Sequence, residues 1–456
     1  MKKVKISFLG ASSTVTGSKF YLETPELNIM IDCGMFQGLK ILREINWKPL
    51  PIEVSKIDVV LLTHGHLDHT GYLPRLVKEG FKGQIIATQP TLSIARIILL
   101  DSAKIQEEQA KKANEEGYSK HRVALPFYNL KEAEDTLKLF SSRNKDEWVQ
   151  LSDNIKCKFK FNGHIIGSTF IHLEIFEKVF VFSGDVGRLN DELLEKPERP
   201  QWADYLFLES TYGNKLHPKE NITEILSTLI QTTIHDRGTL LIPSFAVERL
   251  QLLMFLLWQL YKKNKIPNIP IFIDSPMGNN VLSVFEQFPD WHKLSMNEYQ
   301  AMCNHFTIIT SYADTWNTID DPRPKIVIAG SGMVTGGRIL TYLKQLVDEA
   351  KTKVLLVGYQ AEGTRGRQLL DGCHEIKLFG KYYSVKASIH FIESLSAHAD
   401  QAELLHWIDD IKNIPEKVFL IHGEPGSLDA FKVKLRDTKN WHCDIPTLNE
   451  TIELML

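Results

Sequence analysis

The fold is decided by one segment, residues 58–71, which read Asp-Val-Val-Leu-Leu-Thr-His-Gly-His-Leu-Asp-His-Thr-Gly. The segment opens with an apolar run of the kind that a strand buried on both faces requires. Three histidines and an aspartate follow within six positions. Imidazole nitrogen and carboxylate oxygen are natural ligands for Zn²⁺, and a plain surface loop has no reason to collect them behind a buried strand. The segment therefore predicts a metal site at a strand end.

The spacing of these ligands allows two metal ions. His64 and His66 are separated by one residue, so both can reach one metal from an extended or turning backbone. Asp68 and His69 lie further along, where the chain can turn toward a second metal.

Composition and charge exclude some classes of protein. Of 456 residues, 43% are hydrophobic and 24% are charged, which is ordinary for a globular protein with an ample core. This length suggests two larger domains or about three smaller ones. A net charge of −3 and a pI of about 6.6 argue against a protein that coats nucleic acid through bulk positive charge. These values do not exclude an enzyme that binds phosphate in a local cleft.

Cysteine usage and hydropathy predict the compartment. The five cysteines are odd in number, widely spaced and free of Cys-x-x-Cys pairs, which is typical of reduced thiols in a cytosolic protein. The apolar stretch at the N-terminus is too short for a signal peptide, and no segment approaches the ~20 apolar residues of a membrane span. We therefore expect a soluble, cytoplasmic protein with no membrane partner.

Polar residues also follow other predicted strands. Asp32 ends a strand predicted over residues 28–32, where its carboxylate can orient a metal ligand. His164 and Asp185 lie at strand ends within residues 151–187. A metal held by two histidines needs a further nitrogen, and a carboxylate placed between two metals can bridge them. Both residues are therefore candidate ligands.

Strands and helices alternate in the middle of the chain, which favours a parallel sheet covered by helices. The strand candidates are 239–243, 269–273, 325–329 and 353–357, and the helix candidates are 219–235, 247–263, 278–288 and 338–350. His398 and His422 come later, and His422 ends another apolar strand. A late strand ending in a ligand-type residue suggests that the chain returns to its first domain, so that the middle block is an insertion.

These motifs resemble those of known families. The His-x-His-x-Asp-His pattern of residues 64–69 resembles the signature of the metallo-β-lactamase superfamily. The loops at residues 243–249, 274–277, 330–338 and 358–367 resemble, in combination, the β-CASP cap domain of nucleic-acid-processing members, closest to bacterial and archaeal relatives of the 73-kilodalton cleavage and polyadenylation specificity factor endonuclease. The resemblance implies an α/β fold, namely an αββα sandwich formed by residues 1–208 and 386–456 with a β-CASP domain inserted over 209–385.

The resemblance also implies the ligands of two zinc ions per chain. One zinc is expected on His64, His66 and His164, the other on Asp68, His69 and His422, and Asp185 is expected to bridge them. Two zinc ions about 3.5–4 Å apart can share a hydroxide, lower its pKa toward 7 and clamp the scissile phosphate.

Four residues are expected to act in catalysis by the same analogy. His398 is the candidate proton donor to the departing ribose oxygen, and Glu209 is expected to hold and charge it. Asp68 acts as a ligand at the reacting centre, and Asp32 supports the metal ligands. A purely structural role for His398 is the alternative.

A glycine-rich loop in the predicted insertion is a candidate phosphate site. Residues 330–337 follow a strand and precede a helix, and N–H groups at a helix start can hold phosphate oxygens. Arg367 is a further candidate for a bidentate contact. The expected phosphate contacts are Ser331, Gly332, Thr335, Gly336, Arg338 and Arg365. The predicted insertion has 18 Lys and Arg against 17 Asp and Glu, a net charge of +1, so binding depends on a groove and the metals.

The resemblance favours a ribonuclease, with single-stranded RNA as substrate and internal cleavage as its mode. Histidine at position 422 favours RNA, since the DNA-processing branch of the family typically has another residue there. A DNA nuclease, a small-molecule metallo-hydrolase and a non-catalytic RNA-binding scaffold are the alternatives. A long insertion argues against a small substrate, and seven intact ligands argue against the scaffold. The oligomeric state stays open, and a homodimer is compatible with the family.

Overall fold

The computed structural model describes residues 2–116 and 122–456. The chain divides into two compact units, here called unit 1 and unit 2. Of the described residues, unit 1 contains those within 1–191, 195–216 and 398–456, and unit 2 contains 192–194 and 217–397. The chain therefore leaves unit 1 and later returns to it.

The strands of unit 1 are β1 (Lys3–Phe8), β2 (Phe20–Glu23), β3 (Asn28–Ile31), β4 (Val59–Leu61), β5 (Gln84–Thr88), β6 (Phe140–Arg143), β7 (Val149–Ser152), β8 (Ile155–Phe161), β9 (Thr169–Ile175), β10 (Lys178–Phe182), β11 (Tyr205–Glu209), β20 (Lys417–Ile421), β21 (Cys443–Asp444) and β22 (Thr451–Met455). The strands of unit 2 are β12 (Thr239–Pro243), β13 (Ile271–Asp274), β14 (Thr307–Ile308), β15 (Lys325–Ala329), β16 (Lys353–Val357), β17 (Glu375–Leu378), β18 (Lys381–Ser384) and β19 (Ser388–Ile392).

The helices of unit 1 are α1 (Lys40–Ile45), α2 (Leu67–Thr70), α3 (Leu73–Lys78), α4 (Gln89–Glu115), α5 (Leu130–Leu137), α13 (Gln401–Ile408) and α14 (Pro425–Lys439). The helices of unit 2 are α6 (Ile222–His235), α7 (Arg249–Lys262), α8 (Pro276–Gln287), α9 (Met296–Cys303), α10 (Tyr312–Asp320), α11 (Ile339–Leu346) and α12 (Arg365–Leu370). Within the described ranges, no helix is long and apolar enough to cross a membrane.

Unit 1 is a sandwich of two sheets with helices on both outer faces. One sheet has the order β22-β1-β2-β3-β4-β5-β6 and the other β21-β20-β11-β10-β9-β8-β7. Alternate side chains of both sheets form a shared core, in which Phe8, Phe20, Phe182, Phe207 and Phe419 pack ring against ring. Helices α3 to α5 cover the first sheet, and helices α13 and α14 cover the second. This is the predicted αββα sandwich, because each sheet must bury two apolar faces.

Unit 2 is a parallel α/β layer. Its main sheet has the order β14-β13-β15-β12-β16-β19, and every pair of neighbours runs parallel. The strands β12, β15 and β16 are fully buried, which explains the apolar run that follows the first residue of each strand. The predicted strands at 239–243, 325–329 and 353–357 are confirmed, and the strand predicted at 269–273 lies at Ile271–Asp274. All four helix predictions in this block correspond to helices α6, α7, α8 and α11.

Candidate metal centre

The candidate ligands gather in unit 1 because parallel strands place their carboxyl ends at one edge. Strands β3 and β4 are parallel neighbours in the first sheet. Strands β10, β11 and β20 are parallel neighbours in the second sheet. The residues that follow these strands therefore meet at the same edge, as ligand-binding residues do at the carboxyl ends of parallel strands in α/β sheets. His164 instead follows β8, which is antiparallel to β9.

His64, His66, His164 and Asp185 form the first cluster, whose ligand atoms all lie within 4.8 Å of one another. His66 Nδ1 lies 3.1 Å from His64 Nε2 and 3.2 Å from His164 Nε2. Burial lowers the pKa of His66 to about 4, and burial beside His69 lowers the pKa of His64 well below its usual value. Both rings are therefore neutral at pH 7, which is the form that binds a metal.

Asp68, His69 and His422 form the second cluster. His422 Nε2 lies 3.3 Å from His69 Nε2 and 3.4 Å from Asp68 Oδ2. The main chain holds Asp68 and His69 in place, since Ser18 N donates to Asp68 O at 2.8 Å and Cys33 N donates to His69 O at 2.7 Å.

Asp185 lies between the two clusters and presents one carboxylate oxygen to each. Its Oδ2 lies 3.5 Å from Nε2 of both His64 and His164. Its Oδ1 lies 3.4 Å from His69 Nε2 and 3.5 Å from His422 Nδ1. Burial disfavours the charged carboxylate, but the surrounding imidazoles outweigh it and hold the pKa of Asp185 well below its usual value.

The donor set fits metal ions. Two ligands each about 2.0–2.1 Å from a tetrahedral zinc lie roughly 3.3 Å apart. Most of the donor pairs described above are separated by 3.1–3.5 Å, and His69 Nε2 lies 3.9 Å from Asp68 Oδ2. The Oδ1 atom of Asp185 is buried and has no well-formed hydrogen bond to any residue that the structure describes. A buried anionic oxygen without such a partner requires a cation, so the residues present suit bound divalent metal.

Asp32, predicted from the sequence to support the metal ligands, lies beside His69. Its Oδ2 lies 2.7 Å from His69 Nδ1, which turns Nε2 of that ring toward the cluster. Asp32 also accepts hydrogen bonds from the backbone N–H and the hydroxyl of Thr63, both at 2.8 Å. Sequence reasoning missed Thr63 and Thr211, whose hydroxyls lie 3.1 Å from His64 Nδ1 and 3.2 Å from His422 Nδ1. Hydroxyl residues are too common for spacing alone to single them out.

Glu209 and His398 form a pair beside the first cluster. His398 Nδ1 lies 3.3 Å from Glu209 Oε1, and His398 Nε2 lies 4.0 Å from Asp185 Oδ2. Glu209 is fully buried and is fixed by the backbone N–H groups of Val186 and Thr211. Burial opposes the charged imidazolium, but the Glu209 carboxylate outweighs it and raises the pKa of His398 above its usual value.

Lys19 is a further residue that sequence reasoning missed. Its side chain is buried, and Nζ donates to Gly17 O at 3.0 Å and to Gly34 O at 2.5 Å. The ammonium also lies 4.5 Å from the centroid of the Phe36 ring. Lys19 thus clamps the Gly17 and Gly34 backbones together. Gly34 packs closely against the loop that follows β4 and carries His64, His66, Asp68 and His69, here called the metal loop. A Cβ at Gly34 would meet Asp68 O at 1.5 Å. Lys19 thus ties together the two loops that support Asp68.

The predicted phosphate residues lie in unit 2. The Ser331 hydroxyl accepts the backbone N–H groups of Thr335 and Gly336 at 3.0 and 3.2 Å. Arg338 precedes helix α11 and donates to Thr315 Oγ1 at 2.8 Å, whereas Arg365 donates to the backbone carbonyl of Thr335 at 3.3 Å. Gly332 O accepts a hydrogen bond from Gln360, and Arg367 pairs with Asp371. The loop is therefore formed, but many of its polar groups already make hydrogen bonds within unit 2.

Family models match three parts of the chain. The metallo-beta-lactamase superfamily model matches residues 15–101, the Beta-Casp domain model matches 250–369, and the model of the Zn-dependent metallo-hydrolase RNA specificity domain matches 382–446. The matches cover segments of both units.

Relatives match along nearly the whole chain. This chain is 32% identical over 441 residues to "Ribonuclease TTHA0252" of Thermus thermophilus, and the match covers 94% of this chain and 95% of the relative. It is 29% identical over 461 residues to "Transcription termination factor FttA" of Methanococcus maripaludis, which covers 96% of this chain and 70% of that protein. A crystal structure of an Enterococcus faecalis protein of unknown function matches with a TM-score of 0.54 and 13% identity over 99% of this chain and 100% of that chain, which shows a shared fold alone.

Fold, donor set and family models together define a metallo-hydrolase of the metallo-β-lactamase superfamily. Within that superfamily, the chain belongs to the β-CASP family of ribonucleases, as its motifs predicted.

Proposed function

We propose that this chain is a zinc-dependent ribonuclease that cuts single-stranded RNA internally with two metal ions. Metal-dependent hydrolysis of RNA follows from the family to which the chain belongs. The observation that carries the finer proposal is the carboxylate of Asp185, which presents Oδ2 to the first cluster and Oδ1 to the second. A single carboxylate shared in this way is what a pair of metal ions requires.

The proposed ligands follow the two clusters. His64, His66 and His164 would hold one zinc, and Asp68, His69 and His422 would hold the other, with Asp185 available to both. When bound, the two ions supply an acidified water and neutralise charge on the scissile phosphate. The contribution of the chain is to keep the His64 and His66 imidazoles neutral by burial and to fix the direction of the His69, His64 and His422 rings through Asp32, Thr63 and Thr211.

We assign the proton donor to His398. Attack on phosphorus breaks the bond to a ribose oxygen, and that oxygen needs a proton as it departs. Glu209 holds Nδ1 of His398, so Nε2 points toward Asp185 and the proposed metals. His398 Nε2 can therefore deliver its proton to the departing ribose oxygen, and Glu209 acts as a positioning residue that stabilises the charged ring.

The remaining parts of the proposal concern substrate and setting. The backbone of the 330–337 loop, together with Arg338 and Arg365, contacts RNA phosphates after giving up part of its internal hydrogen bonding. Residues 1–208 and 386–456 act as the catalytic domain and 209–385 as the cap. We propose a cytoplasmic location, because the five widely spaced cysteines are typical of reduced thiols. We propose no partner other than RNA, and a homodimer is compatible with this scheme.

The test combines metal content with cleavage. Purified protein is analysed for zinc by mass spectrometry, then incubated with 5′-labelled single-stranded RNA or matched DNA, with and without chelator. We expect about two zinc ions per chain, chelator-sensitive cleavage of RNA, and a ladder of internal products. A ladder that shortens from one end would replace internal cleavage by stepwise trimming. Two metals without cleavage of either polymer would refute the RNA substrate and favour a small-molecule hydrolase.

A further inference from the structure

Helix α10 of unit 2 carries two exposed aromatic rings that neither the fold nor the metal centre explains. Tyr312 is 61% exposed and Trp316 is 43% exposed. The two residues are four positions apart, so they are neighbours on one side of the helix, with Cβ atoms about 5–6 Å apart. Thr315 and Thr318 face the unit interior instead and are buried. The helix therefore presents a pair of rings to solvent at its first turns.

One of these rings is fixed against a cation. The guanidinium carbon of Arg338 lies 3.5 Å from the centroid of the Tyr312 ring, a close stacking contact. Arg338 is itself held in place, because Nη1 donates to Thr315 Oγ1 at 2.8 Å and Nε lies 3.7 Å from the buried Asp274. Tyr312 is thus ordered on one side by a held arginine and open to solvent elsewhere.

The same arginine links the rings to the glycine loop. Arg338 is the last residue before helix α11, directly after the loop of residues 330–337. Proteins bind single-stranded nucleic acid with exposed aromatic rings beside positively charged groups, since bases stack on the rings and charge holds the nucleic-acid backbone.

We infer that Tyr312 and Trp316 form a base-stacking platform for single-stranded RNA on unit 2, a contact that rests on the proposed ribonuclease function. Each of the two rings offers a flat π-face on which a nucleobase can stack, and the adjacent Arg338 supplies positive charge. A docking site for another protein would need a larger continuous apolar patch. The platform makes the cap a reader of unpaired bases, because paired bases in a duplex have no free face to stack.

Alanine substitution with steady-state kinetics tests the platform. For a short fluorophore-labelled single-stranded RNA, Tyr312→Ala and Trp316→Ala are each expected to raise KM about 5- to 140-fold while kcat stays near wild type. This range is about 1–3 kcal/mol of stacking per base, converted at about 1.4 kcal/mol per tenfold change. Tyr312→Phe and Trp316→Phe keep a ring and are expected to restore KM close to the wild-type value.

The controls separate stacking from a general loss of aromatic surface. Tyr382 is 66% exposed elsewhere in unit 2 and Trp202 is 46% exposed in unit 1, so Tyr382→Ala and Trp202→Ala remove rings of similar exposure. Neither control is expected to change KM. Thermal melting of every variant establishes that it is folded.

Several results would overturn the inference. An unchanged KM in both alanine variants, a fall in kcat alone, or phenylalanine variants that fail to restore KM would each exclude stacking. Alanine variants that alter the oligomeric state in gel filtration and leave KM unchanged would identify a contact between copies of the chain instead. If wild-type protein leaves RNA intact, the proposed hydrolysis fails separately. Fluorescence anisotropy of the labelled RNA with zinc-loaded protein then decides the platform, which is refuted if the alanine variants bind as tightly as wild type.

Discussion

The metal loop of unit 1 and the glycine loop of unit 2 both follow buried strands, but they prepare their ligand atoms in opposite ways. In the metal loop, the backbone is tied to supporting loops by Ser18 and Cys33, and the side chains are left to converge on one another. In the glycine loop, Ser331 and Arg365 bind the loop's own backbone groups. A metal ion bound to the metal loop would coordinate side chains that otherwise repel one another. A phosphate bound to the glycine loop would have to compete with hydrogen bonds that the loop already makes.

This difference predicts unequal sensitivity to substitution. A metal ligand cannot easily be replaced, because most of the donors are buried and metal coordination accepts few residue types. A phosphate contact made by backbone N–H groups is spread over several residues, so single changes there have smaller effects.

The largest effect is expected at the carboxylate that both clusters share. Asp185→Ala should lower both zinc content and RNA cleavage, with a loss of activity of at least about 10⁴-fold, the equivalent of several kcal/mol of transition-state stabilisation. Zinc per chain and the rate of RNA cleavage are measured together. Asp204→Ala is the matched control, because Asp204 is a buried aspartate of the same unit that caps the Val179 N–H instead. Full zinc retention in Asp185→Ala would contradict a bridging role.

The metal loop and unit 2 differ in how much of their function the sequence alone predicts, and the reason is chemical. Metal coordination restricts residue type and spacing so strongly that His64, His66, Asp68 and His69 could be identified from one strand end. The distant members, such as His422, needed the resemblance to a family, because nothing local links them to the motif. Thr63 could not be found in this way, since a hydroxyl acquires its role only through contacts that folding creates.

In unit 2, the alternation of strands and helices was readable, but the use of individual side chains was not. Arg338 could be predicted as a cation near a glycine loop, yet its contacts with Tyr312 and Thr315 depend on the packing of helix α10. An arginine has several donors and a long stem, so the sequence does not decide whether it faces solvent, phosphate or protein.

The next effect concerns the proposed proton donor. His398→Ala should leave zinc content near wild type and slow RNA cleavage by about 10²- to 10³-fold, within the range of general acid catalysis. The ring of His398 groups with Glu209 and Asp185 and belongs neither to the first cluster nor to the second. His172→Ala, which removes a half-buried histidine of strand β9, is the control. Unchanged cleavage in His398→Ala would remove this residue as the donor.

The clamp beneath the metal loop should appear in the pH dependence of stability. Burial lowers the pKa of Lys19 from 10.5 to about 8. Between about pH 8 and 10.5 the unfolded chain therefore holds a proton that the folded chain has released, so the free energy of unfolding rises with pH by about 3 kcal/mol over this window. Lys19→Met should lack this rise, as urea unfolding at pH 7.5, 9 and 10 would reveal. Lys48→Met, at an exposed lysine, should keep the rise in the free energy of unfolding. Parallel pH profiles for wild type and Lys19→Met would contradict the lowered pKa of Lys19.

A smaller effect is expected from the residue that orients His69. Asp32→Asn keeps the shape of the side chain but removes the charge beside His69 Nδ1. Zinc affinity, measured by competition with a coloured chelator, should fall about 10- to 100-fold, as it does when such outer partners are altered. Asp58→Asn is the matched control, because Asp58 accepts the Asn28 N–H at the other end of the same strands. Equal affinities in Asp32→Asn and wild type would show that the main chain alone orients the ring.

The smallest effect is expected in the glycine loop itself, which we contrast with the metal loop. A Cβ at Gly336 would meet nothing within 4 Å, whereas a Cβ at Gly332 would lie 2.5 Å from the Phe245 ring. Gly332→Ala should therefore lower stability by about 1–3 kcal/mol through overpacking. Gly336→Ala should leave stability unchanged but raise KM for RNA about tenfold, because a methyl group hinders phosphate from approaching a charge-assisted backbone contact. Gly426→Ala, which also has open space around it, controls for the added methyl group. An unchanged KM in a stable Gly336→Ala protein would mean that the loop only shapes unit 2 and that phosphate is held elsewhere.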